Sequence, residues 1–296
     1  MNGTIERIGV VGGGLMGAGI AQVAALAGLD TVVREVDEAA AAKSFAAITR
    51  SLNKGVEKGK VAANLAAAAL GRLHVVHTPD ALADRDLVIE AIVENLEAKR
   101  TLWRQLDGHV QPTAIFASNT SSLSIAEQAA ATARGDRFVG LHFFNPVPVL
   151  RLVEVVRTVT TSDATVAAAE AFVRRIGKDP IHAKDTPGFV VNLLLVPYML
   201  DAIRAFEAGV ASIQDIDLGM QLGAAHPTGP LALCDYVGLD TLERVATILY
   251  DAYRERRYAP PPLLHRMVVS GWLGRKGGRG FYDYSVEPPA PVAILG

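Results

Sequence analysis

Cysteine is nearly missing from this 296-residue chain, where Cys234 stands alone. A lone thiol allows no intramolecular disulfide and no Cys-x-x-Cys metal site, and it points to a reducing compartment. Charge of one sign is missing too. The 29 basic residues stand against 31 acidic ones, for a net charge of −2, and no basic block stands out. Nucleic acid and anionic membrane surfaces are therefore not expected partners. The most apolar stretch, Phe189 to Met199, is too short to span a bilayer and contains Asn192 and Pro197. Strand-like sequence starts within a few residues of Met1, leaving no room for a signal peptide. The expectation is a cytoplasmic protein without a membrane segment. No G-x-S-x-G occurs, so a hydrolase nucleophile is not expected. No cluster of ligands argues for a metal.

Half of the residues are hydrophobic, enough for a sizeable core, and the length suits one large and one smaller domain. Up to about residue 185, short apolar runs alternate with helical patterns, which predicts a parallel sheet flanked by helices. The strand candidates are Arg7–Val11, Thr31–Glu35, Asp86–Ala91, Ala114–Ser118, Phe138–His142 and Leu152–Arg157. An Ala- and Lys-rich stretch, roughly 37–70, reads as a helical pair inserted between the second and third of these. Asp185-Thr186-Pro187-Gly188 is strong punctuation, and beyond it the period is helical until Gly280–Tyr284. Ser212-Ile213-Gln214-Asp215 has the form of a capping box opening a helix. These features predict a domain over 1–186, a helical domain over 187–284, and a disordered, Pro-rich tail over 285–296.

The glycines of Ile8-Gly9-Val10-Val11-Gly12-Gly13-Gly14-Leu15-Met16-Gly17 carry the most information. They fit G-x-G-x-x-G where an apolar run turns into a helix-like segment. Gly12 permits the tight turn, Gly14 lets a pyrophosphate approach the backbone, and Gly17 lets the helix pack on the sheet. The helix N-terminus offers free N–H groups and a positive dipole to an anion. A second run, Thr31–Glu35, ends on an acid at about the ~20-residue offset suited to a ribose 2′-hydroxyl. Strand, glycines, helix, strand and acid in this order predict a dinucleotide site.

His142 and Glu154 lie in strand-like runs joined by a Pro-rich turn, so they can be neighbours. A carboxylate buried in such a run needs a partner, since losing one member of a buried pair costs roughly 3–5 kcal/mol. The pair reads as a carboxylate-oriented general base. It reads equally as a satisfied core histidine and a solvent-facing glutamate, and spacing alone leaves both open. Ser118-Asn119-Thr120-Ser121-Ser122 follows a strand candidate at the edge where open α/β sheets bind ligands, and it also suits an N-cap near Ser124. Ser51, Lys54 and Lys58 share a helix face. On spacing they read first as an ordinary solvated face, with a phosphate clamp as the other reading. Asn192 is a further polar candidate in apolar surroundings.

Taken together, these residues resemble the 3-hydroxyacyl-CoA dehydrogenase family, in its short, stand-alone 3-hydroxybutyryl-CoA form. The resemblance runs from Arg7 to Tyr284. It is carried by Gly-Gly-Gly-Leu-Met-Gly at 12–17, Val-Glu-Asn-Leu at 93–96, Ala-Ser-Asn-Thr-Ser-Ser at 117–122 and His-Phe-Phe-Asn-Pro-Val at 142–147. Leu-Val-Glu-Val-Val at 152–156, Asp-Thr-Pro-Gly-Phe-Val-Val-Asn at 185–192, His-Pro-Thr-Gly-Pro-Leu at 226–231, Asp-Tyr-Val-Gly-Leu-Asp at 235–240 and Gly-Arg-Lys-Gly-Gly-Arg-Gly-Phe-Tyr at 274–282 continue it. The resemblance implies an α/β, Rossmann-type doubly wound sheet with a protruding helical pair, followed by an all-helical domain that forms a homodimer. It implies NAD as cofactor and an acyl-CoA substrate of fatty acid metabolism. His142 would be the catalytic base and Glu154 its orienting carboxylate, with Ser121 and Asn192 on the reacting oxygen. The cofactor would be held by Gly12, Gly14, Leu15, Met16, Gly17, Glu35, Glu94, Lys99, Ser121, Asn145 and Lys276. Coenzyme A would be held by Ser51, Lys58 and Ser121, which reverses the reading of that helix face from spacing.

Two departures matter. Leu193 stands where the family commonly has arginine. Glu35 stands where aspartate is commoner, with Arg34 beside it leaving room for limited use of NADP. Two other readings remain. A related enzyme of free hydroxy acids would keep the His142–Glu154 pair without needing Ser51 and Lys58, and a non-enzymatic NAD-binding protein would tolerate loss of the pair.

Overall fold

A computed structural model describes residues 4–294. The chain divides into two compact units, Met1–Phe189 and Val190–Gly296. In the first, β1 (Arg7–Val11), α1 (Leu15–Leu26), β2 (Asp30–Arg34), α2 (Glu38–Glu57), α3 (Ala63–Gly71) and β3 (Leu73–Val76) follow in order. Then come β4 (Leu87–Glu90), α4 (Leu96–Asp107), β5 (Ile115–Ser118), α5 (Ile125–Ala129), β6 (Phe138–Phe143), β7 (Leu152–Arg157), α6 (Asp163–Arg175) and β8 (Asp179–Lys184). The eight strands form one sheet in the order β3-β2-β1-β4-β5-β6-β7-β8, parallel at every pairing except β6 with β7.

Two-residue periodicity sorts the strand side chains onto the two faces. Ile8, Val10, Leu87, Ile89, Val139 and Leu141 pack on one face with α1, whereas Val11, Val88, Phe116 and Phe138 pack on the other with Trp103 of α4. Trp103 stacks on Phe116 at 4.8 Å and meets Phe138 edge-on at 4.9 Å. The strand order reverses between β1 and β4. In open α/β sheets the crevice at such a switch point, here at the carboxyl ends of these two strands, is where ligands bind.

The expected helical pair is α2 and α3. The strands β3 and β8, which composition did not announce, are the two edges of the sheet. His74 interrupts the apolar run of β3, and β8 opens Asp179-Pro180, a proline that an edge strand tolerates.

The second unit contains α7 (Val191–Glu207), α8 (Ile213–Gly223), α9 (Pro230–Val237), α10 (Leu239–Tyr253) and α11 (Pro262–Val269), then β9 (Tyr282–Asp283) and β10 (Ala290–Pro291). Ser212 caps α8 as expected, its hydroxyl accepting from the Asp215 N–H. Leu200, Ile203, Leu231, Leu242, Leu249, Leu264 and Phe281 fill the core. The Pro-rich end is not disordered over its described part. Ala290 and Pro291 pair antiparallel with β9, the Val292 N–H donates to the Phe281 carbonyl, and Ile294 packs on the core. Apolar Val292 and Ile294 flanking the prolines supply the anchor; residues 295 and 296 lie outside the described residues. No helix among the described residues is long and apolar enough to cross a membrane.

Candidate active site

The glycine turn joins β1 to α1 as the motif requires. Gly12 adopts a φ of 90°, which favours glycine, and a Cβ on Gly17 would run into the Gly12 carbonyl oxygen. Gly14 caps α1 with no side chain bonded to the first-turn N–H groups, so that helix end can receive an anion. Leu15 and Met16 form its first turn, with Leu15 75% exposed. Glu35 follows β2, and its Oε1 accepts from the Gly13 N–H at 2.7 Å. The acid is therefore tied to the turn it was expected to face.

Three features of this crevice were not legible in the sequence. Val36 after β2 and Val93 after β4 are aliphatic yet 73% and 70% exposed, suited to the faces of a flat heterocycle. The Ser44 hydroxyl of α2 is buried against Gly13 without a hydrogen bond. Such contacts depend on where a helix packs, which no local motif encodes.

The β6–β7 hairpin sets the second part of the site. Its antiparallel register places His142 opposite Glu154, and the imidazole Nδ1 lies 2.6 Å from the Glu154 carboxylate. Glu154 has none of its surface exposed, and His142 only 5%. The solvent-facing alternative for Glu154 is excluded. A carboxylate can only accept, so the contact is an Nδ1–H donated to Glu154, which leaves Nε2 as the ring nitrogen not engaged by that carboxylate. Phe144 and Phe189 flank the imidazole, with ring centroids 4.5 and 5.6 Å away. Asn145, the candidate cofactor contact, is exposed and precedes a cis peptide to Pro146.

The loop after β5 completes this edge. Asn119 accepts from the Phe143 N–H at 2.9 Å, tying the loop to β6 one residue past His142. Ser121 is half-buried, with its N–H and hydroxyl both directed to Glu94. Burial pushes the Glu94 carboxyl up, but Lys99 and the hydrogen bonds from Thr120, Lys99 and Ser121 hold it below the usual carboxylate range. Lys99 is buried, 2.5 Å from Glu90 and 3.2 Å from Glu94. Ser124 caps α5, and Asp185 adds to that cap by accepting from the Ile125 and Ala126 N–H groups at 2.9 and 2.7 Å.

Ser51 and Lys54 are exposed on α2 and Lys58 is exposed at its C-cap; neither lysine forms an ion pair among the described residues. In the second unit, Asn192 is half-buried in the first turn of α7, and Leu193 packs at the margin of the core. Lys276 is exposed and paired with Asp240 at 2.5 Å.

A profile described as "3-hydroxyacyl-CoA dehydrogenase, NAD binding domain" matches residues 7–186, and one described as "3-hydroxyacyl-CoA dehydrogenase, C-terminal domain" matches residues 188–284. The chain belongs to the 3-hydroxyacyl-CoA dehydrogenase family. It is thus an oxidoreductase of that family, with NAD as its cofactor. A 3-hydroxybutyryl-CoA dehydrogenase of Mycobacterium tuberculosis is 49% identical over 286 residues, covering 96% of this chain and all of the relative. The human mitochondrial hydroxyacyl-coenzyme A dehydrogenase is 48% identical over 291 residues, covering 95% of this chain and 91% of that one. Among solved structures, Mycobacterium tuberculosis FadB2 superposes with a TM-score of 0.94 at 49% identity, covering 95% of this chain and all of that one. The (S)-3-hydroxybutyryl-CoA dehydrogenase PaaH1 of Ralstonia eutropha superposes with a TM-score of 0.91 at 47% identity, covering 96% and 100%.

Proposed function

We propose that this dehydrogenase interconverts (3S)-hydroxyacyl-CoA and 3-oxoacyl-CoA, with a short acyl chain such as 3-hydroxybutyryl-CoA, and that His142 and Glu154 are its general-base pair. The observation that carries the reading is the buried 2.6 Å contact between His142 Nδ1 and Glu154. The names of the 49% and 48% identical relatives support the substrate class.

The residues of the crevice fit the dinucleotide. The α1 N-terminus would receive the pyrophosphate and Glu35 the adenosine ribose, with Glu94 and Asn145 toward the reacting end. Lys99, implied as a cofactor contact by the resemblance, is 1% exposed and lies behind Glu94 instead. When bound, NAD accepts the hydride from C3 of the substrate. The protein handles the proton. As C3 gives up its hydride the hydroxyl becomes acidic, and the Nε2 lone pair of His142 takes its proton. Glu154 then faces an imidazolium across the Nδ1–H, and opposite charges in a buried site stabilise one another. In reduction the imidazolium returns the proton to the carbonyl oxygen. Ser121 orients that oxygen by hydrogen bonding, a positioning effect. The roles of Asn192 and Lys276 rest on the family resemblance.

Ser51 and Lys58 are assigned to the phosphates of coenzyme A, and the two exposed, unpaired lysines on that face support this. The same reading carries a cytoplasmic homodimer formed by the second unit. Exposed Leu218 and Leu222, one turn apart on α8, are suited to such an interface.

The substrate class is tested by initial rates of NADH oxidation with acetoacetyl-CoA against free acetoacetate. The CoA ester should have the far higher kcat/KM. Equal values for the two would overturn the assignment in favour of a free hydroxy acid.

A further inference from the structure

Beneath the loop carrying Ser121 lies a charged cluster whose deepest members have almost no exposed surface. Glu90, the last residue of β4, is 0% exposed, and Lys99, in the first turns of α4, is 1% exposed. The Lys99 ammonium lies 2.5 Å from Glu90 Oε1 and 3.2 Å from Glu94 Oε2. The other oxygen of Glu90 accepts from the Ser118 hydroxyl at 2.6 Å, and Oε1 also accepts from the Ile92 N–H at 2.7 Å. On Glu94, a single oxygen gathers the whole loop. It accepts from the Thr120 hydroxyl, from the Ser121 N–H at 3.1 Å, from the Ser121 hydroxyl at 3.4 Å and from the Ser122 hydroxyl at 3.2 Å.

The arrangement has a cost that demands a reason. A lysine near the N-terminus of a helix opposes the helix dipole, and two carboxylates around one ammonium leave a surplus negative charge in a desolvated place. The neutral donors of Ser118, Ile92, Thr120, Ser121 and Ser122 absorb that surplus. The conformation of the loop is therefore tied to the charge on Glu94, and the place of Glu94 is tied to the cation it shares with Glu90.

We propose that Glu90 and Lys99 are positioning residues for the reaction, acting through Glu94 to hold Ser121 in place. Lys99 then serves catalysis without presenting a surface to the cofactor. This inference rests on the reading of Ser121 given above. If the ammonium is removed, two carboxylates face each other with nothing between them. Glu94, whose side chain is 15% exposed against 0% for Glu90, is the one able to move toward water. Its loop donors would follow it.

The test is a double-mutant cycle with Lys99→Met and Ser121→Ala in the full chain, read by steady-state kinetics and by amide hydrogen exchange. Lys99→Met should lower kcat for acetoacetyl-CoA by about 10²-fold, as expected for a misplaced orienting group, with little change in KM for NADH. Added to Ser121→Ala it should cost almost nothing more, since the two act as one unit. Exchange should accelerate at residues 119–123 and not in β6 or β7. Glu90→Gln preserves shape and should give the same signature at smaller amplitude, which keeps the test usable if Lys99→Met does not fold. A raised KM for NADH with unchanged kcat would make Lys99 a direct cofactor contact and overturn the proposal. So would additive losses in the double mutant, or unaltered exchange in the loop. A silent Ser121→Ala would instead overturn the reading of Ser121, and the exchange result would then decide the positioning proposal.

Discussion

At the scale of single residues the proposed chemistry rests on a carboxylate with no exposed surface, 2.6 Å from an imidazole nitrogen. The spacing of His142 and Glu154 in the sequence left two readings open. The hairpin register, which no residue in the pair specifies by itself, excludes a solvent-facing Glu154; the general-base role is the proposal that substitution tests. Replacing Glu154 by Gln keeps the volume and removes the charge that faces the imidazolium. We expect kcat to fall by roughly 10²–10⁴-fold, the usual worth of general-base catalysis, with the near-ultraviolet circular dichroism unchanged. A folded and fully active variant would assign the pair to structure alone. Glu35 is a second residue whose charge decides an outcome. A 2′-phosphate beside it would meet a carboxylate fixed to the Gly13 N–H, so the chain should prefer NAD. Glu35→Ser should narrow the ratio of kcat/KM for NAD over NADP, with Arg34 free to pair with the phosphate. An unchanged ratio would mean that Glu35 does not face the ribose.

Secondary-structure elements were legible in proportion to how strongly their own residues declare them. The glycine turn announced β1 and α1, and the central strands announced themselves by continuous apolar runs such as Leu87–Glu90 and Phe138–Phe143. The edge strands did not, because one side of each faces water. His74, His182 and Pro180 are ordinary there and misleading as a pattern. The proline-rich end was misread for a related reason: prolines argue against a strand, yet β10 is a two-residue edge anchored by its apolar neighbours. The exposed face of α2 yields the prediction that belongs to this scale. A charge that binds distant phosphates adds affinity without touching the reacting carbon. Lys58→Ala should therefore raise KM for acetoacetyl-CoA and leave kcat nearly intact. The KM of the variant should also depend less on salt, because one screened contact is gone. An N-acetylcysteamine thioester, lacking the phosphates, should show neither change, and an unaltered KM for the CoA ester would return this face to solvent.

At the scale of the molecule, the two units carry different kinds of buried charge, and their stabilities should respond differently to pH. In the second unit Asp217 accepts from the Leu231 and Ala232 N–H groups at the start of α9, and Asp235 accepts from the Phe281 and Tyr282 N–H groups and the Tyr284 hydroxyl. Desolvation by burial pushes the Asp235 carboxyl from its ordinary 3.8 up to about 6, against the lowering effect of those hydrogen bonds. Between these values the folded state holds more protons than the unfolded one. The contribution of Asp235 to stability is thus fully present below about 4 and is lost as pH rises through about 6. Subtracting the urea-unfolding profile of Asp235→Asn from that of the parent should isolate this downward slope, and a flat difference would contradict it. The central claim is that the chain uses His142 as the proton carrier of an NAD-dependent 3-hydroxyacyl-CoA dehydrogenase. The measurement that addresses it most directly is acetoacetyl-CoA reduction by NADH in His142→Gln, together with the Kd for NADH of the same protein. The account predicts turnover reduced by roughly 10²–10⁴-fold with NADH binding retained; near-normal turnover in that variant would contradict it.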